Sequence, residues 1–389
     1  MVISKKTCIF AADFEDLIME LNIQYTNTTM DNKQIYEIFS TRLQHIRKLR
    51  GMSLRDLVAA TNNAVSVQTL SNYEKGLSFP NGTIMMSLVD ALHVSVDALF
   101  AEPKVNWGVV NFTYRKRKSL TERTDSQIEE SVKEYAERYM EIENILEIVP
   151  DASFRDGFQN TEVRTIEDAR SVANNVRNKY QFGEAPIVSL HDFLEEVGVK
   201  LIGVDIDSKF DGTNFICDRH SFIIYNSANA NAERTRFTIA HELGHLLMNI
   251  PDDVDKDDVE KFCNSFASEL LLPQSKLRTI LGDKREGISL VELKRIRQLY
   301  GISIDAILYA ACEIGIITKD RHKRFLIVVN KNPNIKEEIK KSVYDKEQDN
   351  DRFTSLVYRA LSNNVISVSK ASMLLGKSIE ELTNESVLS

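Results

Sequence analysis

Residues 236–249 read RFTIAHELGHLLMN. His241 and His245 stand four positions apart in this apolar stretch, and Glu242 follows the first of them. On an α-helix, positions four apart lie one turn apart on one face, so both imidazoles can reach a single point in space. Glu242 is rotated by about 100° from His241. It can therefore hold a water beside that point without joining the imidazoles. Gly244 leaves room on the same turn. Phe237, Ile239, Ala240, Leu243, Leu246, Leu247 and Met248 make the surroundings apolar and predict a buried helix. Two histidines and a glutamate are costly there unless they have partners. The bland alternative is a pair of core histidines satisfied by hydrogen bonds. The spacing points instead to a divalent cation. Zinc (Zn2+) takes histidine nitrogens at ~2.0–2.1 Å, and a catalytic site adds a third protein ligand and an open position. Manganese or another divalent ion would suit the same residues, since metal choice also depends on availability.

Third-ligand candidates follow downstream. Asp252, Asp253, Asp255, Asp257 and Asp258 lie in PDDVDKDD, which reads as a solvated loop. Glu260 and Glu269 lie on the next helix, DDVEKFCNSFASELLLP, which Pro273 stops. Phe262, Cys263, Phe266 and Ala267 mark the inner surface of that helix, but their angles do not separate the two glutamates. Spacing leaves the choice open.

At 389 residues the chain should hold two or three domains. With 43% hydrophobic and 27% charged residues it has the makings of ordinary cores. Its formal net charge is −8, so any contact with DNA must come from a local patch. Cys8, Cys217, Cys263 and Cys312 form no CxxC pair, which suits a reducing compartment and argues against a disulfide framework. Asp13 and Glu15 arrive too early for a signal peptide, and no apolar stretch approaches a membrane span. The expectation is a soluble, cytoplasmic, multidomain protein.

Residues 1–35 form an N-terminal extension in which FEDLIMELNIQY has the spacing of an amphipathic helix. Residues 36–103 read as five short helices: YEIFSTRLQHIRKLRG, SLRDLVAAT, SVQTLSNYEKG, TIMMSLVDALHV and SVDALFAE. Ser53 and Ser66 are N-caps, and Gly51 and Gly76 are stops. The stretches RLQHIRKLRGMSLRDLV, SVQTLSNYEKGLSFP and LVDALHVSVDALF resemble the lambda-repressor-like (Xre) helix-turn-helix family. A short helix, a turn and a third helix place that third helix in a DNA major groove. Val67, Gln68, Ser71 and Asn72 would face base edges, with Leu70 and Tyr73 turned inward. Arg55 and Lys75 are placed for phosphates, which position without specifying. TNNAVSV, between the helices, is longer than the usual tight turn. A helical module used only for dimerisation is the alternative.

Residues 104–160 form a connector. VNWGVVNFTYRKRK suggests a strand and then a basic run at 115–118, which reads as a solvated loop. SQIEESVKEYAERYMEIENILEI is an amphipathic helix with Ile128, Val132, Tyr135, Tyr139, Ile142 and Leu146 on one side. That stripe offers a packing face to the next domain, or to a second copy in a homodimer. In residues 161–320, TIEDARSVANNVRNKY and SLHDFLEEVG read as helices and VKLIGVDI and SFIIYN as strands. The histidine-bearing helix and its successor complete an α+β domain. Residues 321–389 form a helical C-terminal region, with KRFLIVVNKN reading as a strand at its start. The fold class is therefore multidomain: an all-α helix-turn-helix domain, an α+β domain, and a helical C-terminal region.

RFTIAHELGHLLMN followed by EKFCNSFASELLLP, with DGTNFICDRHSFIIYN upstream, is similar to the ImmA/IrrE family of metallopeptidases over about residues 165–320. The resemblance implies a zincin-like fold. It also implies that the first glutamate of an E-x-x-A-N-x-F-A pattern is the third ligand. That glutamate falls on Glu260, and Asn264, Phe266 and Ala267 match the rest. Cys263 stands where alanine is usual, so a thiolate ligand one turn from Glu260 is the competing option. The implied chemistry is metal-assisted hydrolysis with Glu242 as general base. The substrate would add as an extended strand along a sheet edge, with SFIIYN as the candidate edge. The combination implies a DNA-binding regulator with zinc-dependent endopeptidase activity. Its partners would be a double-stranded DNA operator and a protein substrate, a helix-turn-helix repressor. The alternative is a non-proteolytic transcription factor whose peptidase-like domain senses a ligand. A defence component of a mobile element is a third reading.

Overall fold

The computed structural model describes residues 32–94, 96–100, 112–113, 122–205, 210–217, 219–228, 231–344 and 352–386. The expected helix in FEDLIMELNIQY and the basic run at 115–118 lie outside these residues. The chain divides into two compact units, one within 1–106 and 121–134, the other within 107–120 and 135–389.

The first unit contains α1 (Asn32–Leu49), α2 (Leu54–Ala60), α3 (Val67–Glu74) and α4 (Gly82–Leu92). Within the fifth expected helix, SVDALFAE, the described residues hold a 3-10 turn at Asp97–Leu99, and Ser95, Ala101 and Glu102 lie outside them. Caps set the boundaries. The Asp56 amide donates to Ser53 Oγ at 3.1 Å and the Ser53 amide to the Asp56 carboxylate at 2.8 Å, a reciprocal capping box. Ser66 Oγ accepts from the Thr69 amide at 3.0 Å and starts α3. Between them Asn62 and Asn63 take left-handed φ values of 55° and 58°, a conformation asparagine tolerates. Buried Val65 anchors this long turn to a core of Phe39, Leu43, Leu57, Leu70 and Leu88. The Arg47 guanidinium grips both oxygens of Glu74 at 2.5 and 2.8 Å and ties α1 to α3.

Helix α5 (Glu122–Ile145) follows. Ile128, Val132, Tyr139 and Ile142 are buried as the periodicity predicts. Ala136, rather than Tyr135, completes the stripe, and Leu146 is half-buried.

The second unit is α+β. Its sheet holds β1 (Phe112–Thr113), β2 (Val199–Val204), β3 (Gly212–Cys217) and β4 (His220–Asn226) in the order β1-β3-β4-β2. β3 is antiparallel to β1 and β4, and β4 is parallel to β2. The candidate edge strand SFIIYN is thus corrected: it is β4, paired on both sides. Phe222, Ile223 and Ile224 are fully buried, because both sheet faces are covered there. Helices α6 (Ile166–Lys179) and α7 (Leu190–Glu196) precede β2. After the sheet come α8 (Ala232–Leu247) and α9 (Lys256–Leu271). Helix α8 packs on β3 and β4 and on α9. Gly212 permits this approach: a methyl group there would lie 2.5 Å from Thr238 Cγ2 and 3.3 Å from Glu242 Cγ.

Further helices follow among the described residues: α10 (Gln274–Leu281), α11 (Leu290–Tyr300), α12 (Ile304–Glu313), α13 (Lys319–Lys331), α14 (Pro333–Lys340), α15 (Arg352–Ser362), α16 (Val368–Leu375) and α17 (Ile379–Ser386). KRFLIVVNKN, expected as a strand, lies in α13. Thr318 caps that helix through the Arg321 amide at 3.3 Å. Val329 is buried while Ile327 and Val328 are exposed, so one-sided helical packing overrides the β-branched run. Residues 339–344 are strapped to the start of α8. Arg297 donates to Glu233 at 2.6 Å and to the Ile339 carbonyl at 2.9 Å. Ser342 Oγ and the Val343 amide also donate to Glu233, at 2.6 and 3.1 Å. The Arg236 guanidinium stacks on Tyr344, 4.5 Å from its ring centroid.

Candidate metal centre

His241 and His245 project from the C-terminal half of α8, with ring centroids 4.9 Å apart and planes at 70°. Their Nε2 atoms are separated by 3.2 Å. Glu260, on the second turn of α9, closes the triangle. Its Oε2 is 3.6 Å from His241 Nε2, and its Oε1 is 3.6 Å from His245 Nε2. Ligand atoms ~2.0–2.2 Å from a shared ion in tetrahedral array stand about 3.3–3.6 Å from each other. The three side chains therefore fit one small divalent cation. The His241 side chain is 4% exposed and that of Glu260 29%, so the site opens on the carboxylate side.

A second hydrogen bond sets the histidine tautomer. His241 Nδ1 donates to Asn264 Oδ1 at 2.9 Å, which leaves Nε2 with its lone pair. Asn264 lies one turn beyond Glu260 on α9, so one helix supplies both the carboxylate and the orienting amide. Gly244 keeps the two helices close: a methyl there would meet Phe266 at 3.1 Å and the Cys263 Cα at 3.4 Å.

The competing residues occupy other places. Cys263 is fully buried, and its thiol and the two imidazoles have donor atoms within 4.8 Å of one another. That bound is looser than the 3.6 Å approach of Glu260. The distances from the carboxylate to the two imidazoles match the edge of a ligand tetrahedron. Glu269 is buried towards the other end of α9 and accepts from the Gln274 amide at 3.2 Å. Burial pushes its carboxyl above the usual range. In the acidic loop, Asp253 pairs with Arg164, Asp255 caps α9, and Asp258 pairs with Lys261. Asp252, Asp253, Asp255 and Asp257 are exposed.

Glu242 is 3% exposed, and its Oε2 accepts from Asn214 Nδ2 of β3 at 2.8 Å. It lines a cleft of about 830 Å3 together with Thr238, His241 and Asn264. Phe237, Ile304 and Ile339 supply apolar wall, and Arg234 and Asp211 form an ion pair among the lining groups. A carboxylate held at one oxygen beside the imidazole pair is equipped to move a proton. Asn214 was not singled out from the sequence. It lies in DGTNFI with no local signal, and only the packing of β3 on α8 brings it to Glu242.

In the first unit, Val67, Gln68, Arg55 and Lys75 are exposed, and Ser71 and Asn72 half-buried. Leu70 and Tyr73 are buried. Gln68 Nε2 donates to Asn72 Oδ1 at 3.1 Å, so these two amides form one polar surface on α3.

Both units have counterparts among known proteins. Residues 195–311 match the IrrE N-terminal-like domain family of peptidases, a span that includes β2 to β4, α8 and α9. This part of the chain is thus similar to the IrrE-like domain of that family. Residues 43–99 match the helix-turn-helix family. Over 106 residues the chain is 32% identical to the radiation response metalloprotease IrrE of Deinococcus radiodurans. That alignment covers 24% of this chain and 31% of the relative, so the chain spans under a third of that protein's length. A helix-turn-helix domain is thus joined to an IrrE-like domain in one polypeptide. Among the described residues no helix is long and apolar enough to cross a membrane.

Proposed function

We propose that the chain is a DNA-binding regulator and a zinc endopeptidase that cuts a helix-turn-helix repressor. The observation that carries this reading is the convergence of His241, His245 and Glu260, with Glu242 beside them in the cleft. The three would hold zinc. When bound, zinc would lower the pKa of a water towards ~7 and polarise the scissile carbonyl. Glu242 takes a proton from water in the cleft as the water oxygen bonds to the scissile carbonyl carbon, and passes that proton to the leaving amine as the C–N bond breaks. Asn214 holds the Glu242 carboxylate in place throughout. Asn264 keeps the His241 ring turned with Nε2 towards Glu260. The apolar wall at Phe237, Ile304 and Ile339 receives a substrate side chain.

On the DNA side, Val67, Gln68, Ser71 and Asn72 read base edges while Arg55 and Lys75 contact phosphates. The exposure of Val67, Gln68, Arg55 and Lys75 supports this assignment. A homodimer would suit an operator with two half-sites. In this reading the chain acts in the cytoplasm.

The test is a cleavage assay with zinc, wild-type chain and Glu242→Gln, against candidate helix-turn-helix repressors. Cleavage by wild type alone is expected. Equal cleavage by both would remove the role of Glu242. A wild-type chain that holds zinc, binds its operator and cuts nothing would favour the ligand-sensing alternative.

A further inference from the structure

One edge of β3 passes beside Glu242. The Asn226 amide donates to the Asp211 carbonyl at 3.0 Å, so Asp211 turns its main-chain groups towards β4. In an antiparallel ladder successive residues alternate in the side to which their N–H and C=O point. Gly212 and Asn214 therefore turn theirs to the opposite edge of β3. Their Cα substituents share one face of the strand, the face towards α8. There the Asn214 side-chain amide reaches Glu242 at 2.8 Å, and a methyl on Gly212 would lie 3.3 Å from Glu242 Cγ.

Two segments can claim this edge. The first is β1, antiparallel to β3, with Phe112 opposite Phe215 and Thr113 opposite Asn214. Since Asn214 turns its main-chain groups outward, Thr113 is placed to exchange both hydrogen bonds with it. Among the described residues no strand pairs with Gly212 on that side. Gly212 lines the cleft together with Asp211, Thr238 and Glu242. Its N–H and C=O are thus placed to pair with a second segment, an extended chain lying in the cleft. Direction sets the two against each other. Because β1 is antiparallel to β3, it points from Asn214 towards Gly212. An extended chain paired with Gly212 lies on that same line and collides with the continuation of β1. The strand is only two residues long and sits at the outside of the sheet, so its departure breaks few bonds.

We propose that β1 is an internal competitor for the substrate: an extended protein segment pairs with β3 across Gly212 and Asn214 by displacing β1, which restrains the cleft until then. The inference rests on the reading of the cleft as a site for a protein chain, and adds the element that holds that chain back.

The experiment uses the full chain with Glu242→Gln, so that binding is read without cleavage. The probe is a fluorescein-labelled peptide of the chain's own residues 108–117, GVVNFTYRKR, followed by anisotropy. Thr113→Pro in the protein removes an amide that pairs with Asn214, and should tighten probe binding by ~10-fold or more, the scale of one or two main-chain hydrogen bonds. Thr113→Val keeps that amide and should not alter binding. A probe with proline at the position of Thr113 should bind ~10-fold more weakly. Hydrogen exchange locates the contact: the probe should slow exchange of the Gly212 amide. The proposal is overturned if Thr113→Pro binds the probe no more tightly, if the proline probe binds as well, or if exchange at Gly212 does not change. Should Thr113→Pro fail to fold, the last two readouts decide on the chain with Thr113 intact. Probe binding of this pattern in a chain that cleaves no repressor would keep the competition at the β3 edge and refute the peptidase reading alone.

Discussion

Asn214 of β3 donates its side-chain amide to Glu242 of α8 across 2.8 Å, with both residues buried. The bond ties the proposed general base to the sheet rather than to its own helix. Asn214→Leu should therefore lower kcat about 10-fold or more, the scale expected when an orienting partner is lost. KM and zinc content should not change. Steady-state kinetics beside metal analysis separates this from a loss of fold.

Asn264 supports His241 in the same manner from α9. Asn264→Ala frees the ring to turn and to change tautomer. Zinc affinity should fall by about 10–100-fold in competition with a chromophoric chelator.

Glu260 and Cys263 are rivals for the third position, and substitution separates them. Glu260→Ala should abolish stoichiometric zinc binding. Cys263→Ala should leave it intact, since it removes only a buried sulfur. The reverse pattern, read by metal analysis after dialysis, would transfer the role to the thiol.

Glu233 anchors the strap at 339–344 and pairs with Arg297, and both side chains are almost wholly buried. Burial alone would raise its carboxyl pKa, but hydrogen bonds from Ser342 and Arg297 outweigh that and hold it below the usual range. A lowered folded-state pKa gives stability that is complete above the unfolded value, about 4.3, and lost as pH falls through the folded value. Glu233→Gln should cost about 3–5 kcal/mol at neutral pH, as expected for breaking a buried pair. The gap between the two urea-unfolding curves should narrow below about pH 4.

On the DNA-binding unit, Gln68→Ala and Lys75→Ala should differ in kind. The first should relax base preference at one position, at a cost of about 1–3 kcal/mol, if its amide reads a base. The second should weaken all sequences alike and reduce the salt slope by about one. Operator variants titrated at several salt concentrations distinguish them.

Much of the centre was legible in HELGH, because helical spacing alone places the two imidazoles together. Glu260 was not legible from spacing, since Glu260 and Glu269 share one helix and the intervening apolar residues do not rank them. Only family resemblance pointed to Glu260. Asn214 was invisible because its partner lies 28 positions away and the contact arises from a strand packing on a helix. The misplacement of SFIIYN at a sheet edge has a readable cause: three consecutive apolar residues signal a strand covered on both faces. KRFLIVVNKN misled because β-branched residues also suit the partly buried face of a helix, and a capped start with one-sided packing decided the matter.

The most direct measurement is zinc K-edge X-ray absorption on the full chain loaded with one equivalent of Zn2+. Two imidazoles with oxygen neighbours at ~2.0–2.2 Å and no sulfur are expected. A sulfur neighbour at ~2.3 Å, or failure to retain the metal, would contradict a centre built by His241, His245 and Glu260.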